Sequence, residues 1–191
     1  ANNTGTIIVE GYIQANGGNG RGGSVTINQA QDIQVNTATI QANGADGGEI
    51  TIYSNTGNVN FSNSLIQTNG SVGRGGTIGI SGFTQTLLIG SEISSTGQTQ
   101  GGRIFIGNDF QSTNLPFSQY TLIDQHTQIY AQSLAAGSKN GGFIETSAHA
   151  LDLLNAVAPG EGGTWLIDPF DIVIDATNAS KIQTALNANA N

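Results

Sequence analysis

The densest group of carboxylates in the chain is Asp168, Asp171 and Asp175. Carboxylates at such spacing serve two chemistries: acid–base work on a glycosidic bond, and calcium ligation by oxygen. Asp168 precedes Pro169 and reads as a turn. Strand alternation puts Asp171 and Asp175 on one face with Val173 between them. The trio is therefore expected to cap strand ends rather than to hold calcium. His126 and His149 have no motif partners nearby and read as turn or surface histidines. The run Gly17–Gly23 lacks the Lys-Ser/Thr ending and following helix of a phosphate loop, so it reads as a corner. Thr26, Thr51 and Thr77 begin an outward file of the kind that binds ice, but Arg103, Phe105 and their neighbours spoil it. No catalytic, metal-ligating or cofactor-binding residue is assigned, and the chain is expected not to be an enzyme.

The elements that position these residues follow from a repeat. Gly22-Gly23, Gly47-Gly48, Gly75-Gly76, Gly101-Gly102, Gly141-Gly142 and Gly162-Gly163 each precede a short alternating strand. A truncated copy opens at Gly5. The second glycines lie 25, 28, 26, 40 and 21 residues apart, a period that marks a solenoid. Each unit holds three strands of four to six residues between Gly, Asn, Ser or Gln turns. Glycines are expected to supply the positive φ of sharp corners. Three strands per turn, each recurring one turn later, predicts an all-β parallel β-helix of about six coils, roughly 30 Å long. The inward files are Ile27, Ile52, Ile80 and Ile106, and Ile40, Ile66, Ile93 and Ile129. Coils are assigned to residues 1–176 and a C-terminal helix or tail to 177–191. Thr177-Asn178 offers its N-cap, and Ala179, Ile182, Ala185 and Leu186 follow at helical spacing. This helix is expected to cover the final coil near Trp165.

Composition narrows the partners. Only 9% of the 191 residues are charged, the net charge is −8, and Lys and Arg together number five. Nucleic acid and anionic membrane surfaces are poor partners for such a chain, because phosphate neutralisation needs basic clusters. Polarity must come from Asn, Gln, Ser and Thr, which can ladder along a strand stack. There is no cysteine, so neither disulfides nor thiolate ligands arise. No run is long and apolar enough to span a membrane. The chain has no methionine at all, and it is expected to be a processed product or an excised part. Its first strand, Ile7–Val9, shows no cap and is expected to abut further coils or another copy. The fourth unit is longer, with its excess in residues 108–120. Phe110, Phe117 and Tyr120 on that loop are candidate partner contacts, unless they pack back onto the coil flank.

Residues 141–176 resemble a segment of the filamentous haemagglutinin-like exoproteins of bacterial two-partner secretion. Gly162, Gly163, Trp165, Asp168 and Pro169, within Gly-Gly-Thr-Trp-Leu-Ile-Asp-Pro, are the specific part. The run from Ile182 to Asn187 also fits. The resemblance implies a right-handed β-helix, export through an outer-membrane transporter, and adhesion at the bacterial cell surface, where a host or cell-surface glycan is a partner. The family's N-terminal secretion domain is not visible in the chain. The reading that follows is a non-enzymatic structural segment of a secreted adhesin or surface filament, acting as a rigid stalk. A self-polymerising filament subunit and a carbohydrate-binding or carbohydrate-active β-helix are the alternatives.

Overall fold

The computed structural model describes residues 5–29, 31–108, 115–170, 179, 180, 182–184 and 187. Its strands are β1 (Ile7–Gln14), β2 (Ser24–Gln29), β3 (Ile33–Gln41), β4 (Glu49–Ser54), β5 (Asn58–Ser62), β6 (Leu65–Gln67), β7 (Thr77–Gly82) and β8 (Gln85–Ile89). The later strands are β9 (Glu92–Ser94), β10 (Arg103–Ile106), β11 (Tyr120–Ile123), β12 (Gln128–Tyr130), β13 (Phe143–Ala148), β14 (Ala150–Leu153) and β15 (Thr164–Pro169). All their pairings are parallel, and each strand pairs with its equivalent one coil away. The chain is a parallel β-solenoid.

One wall is the six-stranded sheet β15-β13-β10-β7-β4-β2, built from the strands that follow the glycine doublets. Six strands in that wall span five turns from first to last, so the expected six coils are a count of strands. The other two walls are joined as a nine-stranded sheet, because β1 and β3 each run around a corner. The first half of β3 pairs with β5 and its second half with β6.

The bend in β3 falls at Thr37, with φ 49°, and the next coils bend at Asn63 (48°) and Gly90 (57°). Asn and Gly enter this left-handed region readily, whereas a β-branched Thr is strained there. Beneath the bend a file of buried hydroxyls caps the freed backbone. The amide of Ala38 donates to Ser64 Oγ (3.1 Å), that of Ser64 to Ser91 Oγ (3.1 Å), and that of Ser91 to Thr127 Oγ1 (3.3 Å). Each hydroxyl in turn donates to a carbonyl within the stack. Among the described residues no buried side-chain polar atom lacks a partner, as close packing of polar groups demands.

The core is the set of inward files. Ile27, Ile52, Ile80 and Ile106 are Cα partners in successive coils, and so are Ile40, Ile66, Ile93 and Ile129. Burial is complete at Ile52, Ile80 and Ile106, while Ile27 in the first doublet coil is half-buried. Outside, the amides ladder along the axis. Gln14 Nε2 donates to Gln41 Oε1 (2.9 Å) and Gln41 Nε2 to Gln67 Oε1 (2.8 Å). Asn16, Asn43 and Asn69 each accept the amide of the residue one coil on, at 2.7 to 2.9 Å.

Positive φ falls at Gly11, Gly18, Gly90, Gly107, Gly137 and Gly160, as expected of glycine corners, but the doublets play another part. Apart from Gly162 (φ 72°), none of their glycines has positive φ. They are required by close approach of backbones. A Cβ on Gly47 would lie 2.0 Å from the carbonyl oxygen of Thr68, and one on Gly76 would lie 2.0 Å from that of Gly48. Real Cβ atoms do not come so near backbone oxygen, so each doublet marks where coils touch without side chains between them.

At the C-terminal end, Ala179, Ser180, Ile182, Gln183, Thr184 and Asn187 are helical. Thr184 Oγ1 donates to the Ser180 carbonyl (2.8 Å) and Gln183 Nε2 to Asn187 Oδ1 (2.9 Å). The expected N-cap at Thr177-Asn178, and Ala185 and Leu186, lie outside the described residues.

Candidate functional site

Phe110 lies outside the described residues, but Phe117 and Tyr120 can be placed. The segment around them returns to the flank of the solenoid. Leu115 is buried and sits over Gly79, where a Cβ would lie 3.1 Å from Leu115 Cδ1. Ser81 Oγ donates to the Pro116 carbonyl (2.5 Å), and the Ser118 amide to that of Gly107 (2.9 Å). The outward file Thr26, Thr51 therefore continues into Gly79, Phe105 and Glu145, not into Thr77, which pairs with Glu49. Phe105 and Glu145 point outward by alternation yet are buried. Ser147 Oγ donates to Glu145 Oε1 (2.7 Å).

Phe117 packs edge-on to His149, with centroids 4.8 Å apart, and His149 meets Phe170 at 5.1 Å. Phe170 is 71% exposed. The three rings make a short aromatic stack along one corner, and this is the partner that sequence spacing did not reveal for His149. Tyr120 begins β11, and its hydroxyl donates to Asp152 Oδ2 at 2.7 Å. Partial burial, that hydrogen bond and the Asp152 charge push the phenol up to about 12.

The other titratable cluster lies at a turn. Asp124 Oδ1 accepts from the Thr127 hydroxyl (2.7 Å), the Thr127 amide (2.8 Å) and the Gly90 amide (3.0 Å). His126 Nδ1 lies 3.4 Å from Asp124 Oδ2. Burial pushes the Asp124 carboxyl up, but the donors from Thr127, Gly90 and His126 outweigh it and hold the group below its usual value. The arrangement ties the turn to the coil below.

Asp168 is not in a turn: it lies in β15, exposed, paired with Ser147. Asp171 and Asp175 lie outside the described residues. Among the described residues no three His, Cys, Asp or Glu side chains are grouped to hold a metal ion. Trp165 pairs in register with Ile144 and packs against the core, with its indole N–H donating to Thr146 Oγ1 (3.1 Å). Gly162 meets the Lys139 carbonyl, which a Cβ would approach to 2.0 Å. The Gly-Gly-Thr-Trp-Leu-Ile-Asp-Pro run is thus one more coil of the stack, and Trp165 closes the file that begins at Val25. No helix among the described residues is long and apolar enough to cross a membrane. Compared with known proteins, the chain matches no family model, no curated protein and no solved structure.

Proposed function

We propose that the chain is a rigid, non-catalytic stalk segment of a secreted bacterial surface adhesin or filament. The observation that carries this reading is the unbroken in-register stack of β2, β4, β7, β10, β13 and β15. Its inward file Val25, Ile50, Ile78, Ile104, Ile144, Trp165 has no polar interruption. Backbone hydrogen bonds run along the axis of such a stack, so axial load falls on many parallel bonds at once. Stiffness then needs no disulfide, and a chain with no cysteine can be threaded unfolded through an outer-membrane transporter and coil up outside. The resemblance of residues 141–176 to two-partner secretion exoproteins supports the same reading.

Antibody raised against this chain tests it on intact source cells. Labelling before permeabilisation is expected. Labelling that appears only after permeabilisation contradicts surface placement. The non-catalytic part is tested separately with purified chain on a panel of plant and microbial polysaccharides. Steady release of reducing ends or unsaturated sugars would contradict it.

A further inference from the structure

All three arginines of the chain, Arg21, Arg74 and Arg103, line one groove of about 480 Å³. That volume is within the ordinary range for a ligand cleft. The groove runs along the corner where each glycine doublet begins, so its floor is bare backbone of Gly47, Gly75, Gly76, Gly101 and Gly102. A ligand can therefore lie against peptide groups with no side chain in the way.

The register sets the charge spacing. The Gly22 amide bonds to the Asp46 carbonyl, the Gly47 amide to that of Arg74, and the Gly75 amide to that of Gln100. Arg21, Asp46, Arg74 and Gln100 thus form one column. Arg21 and Arg74 stand two coils apart, about 10 Å. Arg103 stands in the same coil as Gln100 but past the doublet, where it pairs with Thr77, and its guanidinium lies 5.0 Å from the Phe105 centroid and 5.7 Å from that of Phe143. Those rings hold it in place.

Among the described residues the ion pairs are His126 with Asp124 and Lys139 with Glu161, and none involves an arginine. Asp46 lies between two arginines, yet its Oδ1 accepts the Arg74 backbone amide at 2.9 Å. Arg21 reaches only the Gly47 carbonyl, at 3.4 Å. A chain of net charge −8 with five basic residues has gathered three of them, all of the planar type that grips carboxylate in pairs of bonds.

Charge density selects the ligand. Nucleic acid carries a phosphate about every 3.4 Å per strand, which would set excess negative charge against Asp46. A polymer with carboxylates nearer 10 Å apart and hydroxyls between them meets Arg21 and Arg74, and offers donors to Asp46 and Gln100. We propose that this groove binds a carboxylate-bearing polysaccharide lying along the solenoid axis. The inference stands apart from the stalk reading, because binding is measured on the purified chain whatever its location.

Retention on immobilised hyaluronate, an alternating polymer with one carboxylate per disaccharide, is the test, with its fully methyl-esterified form and single-stranded DNA as parallel arms. The wild-type chain is expected to be retained at low salt and released as salt rises. Arg74→Gln is expected to weaken binding about tenfold, the scale of one charge-assisted pair, and Arg21→Gln/Arg74→Gln to abolish it. Both side chains are exposed, so an unchanged thermal midpoint should accompany the loss. Failure of the wild type to bind, equal retention on the esterified polymer, stronger retention on DNA, or full binding by the double variant overturns the proposal.

Discussion

Ile27 and Ile52 hold the same place in successive coils, yet Ile52 is paired on both sides and fully buried, whereas Ile27 is half-buried. Ile52→Asp is expected to destabilise the fold by about 4 kcal/mol, the cost of an unpaired buried charge. Ile27→Asp is expected to cost clearly less, since water reaches that end. Thermal melts of the two variants check the order, and equal losses would deny the file. These isoleucines were legible in sequence because each stands four residues after the second glycine of its doublet. The hydroxyls of Ser64, Ser91 and Thr127 were not. A buried Ser is tolerated only where an amide from the next coil donates to it, and that partner is about 26 residues away in sequence. Tyr120 makes a second test. Its phenol is raised to about 12 against a usual 10, so the fold favours the neutral form. That contribution is present below pH 10 and is lost as pH rises through about 12. Absorbance titration should show a late-titrating phenol that is absent from Tyr120→Phe.

At the scale of the element, the corners decide what the strands can do. Period and alternation showed where strands and turns fall. They did not show how the doublets turn, because bare-backbone contact between coils leaves the same glycine as a positive φ. For the long fourth unit the sequence left two readings open, a protruding contact loop or a return to the flank, since an insertion has no period to read. Leu115 fills the space left by Gly79, so Leu115→Ala should lower stability by about 2 kcal/mol, the lower end for a buried leucine. Denaturant melts check this, and no change would detach the segment from the flank. The Asp124 turn carries a pH signature. Its carboxyl titrates below the usual 3.8 in the fold, so its stabilisation is present above pH 3.8 and is lost as pH falls further. Asp124→Asn should melt lower than wild type at pH 7, and the two should converge as pH falls below 3.8. A constant gap across that range would remove the carboxylate from the account.

For the whole molecule, the parallel stack is both fold and proposed function. Solenoid stability is a sum of coils and of the interfaces between neighbours. Load applied through the two ends should therefore peel one coil at a time. The most direct measurement is force spectroscopy on the single chain, pulled from its termini. Successive doublets are mostly 25 to 28 residues apart, so each peeled coil should add about 80–100 Å of contour length. The stalk account predicts repeated force peaks at that increment, each rising well above the force needed to stretch an unfolded chain. A smooth extension that follows an unfolded polymer from the start, with no coil-sized steps, would contradict it.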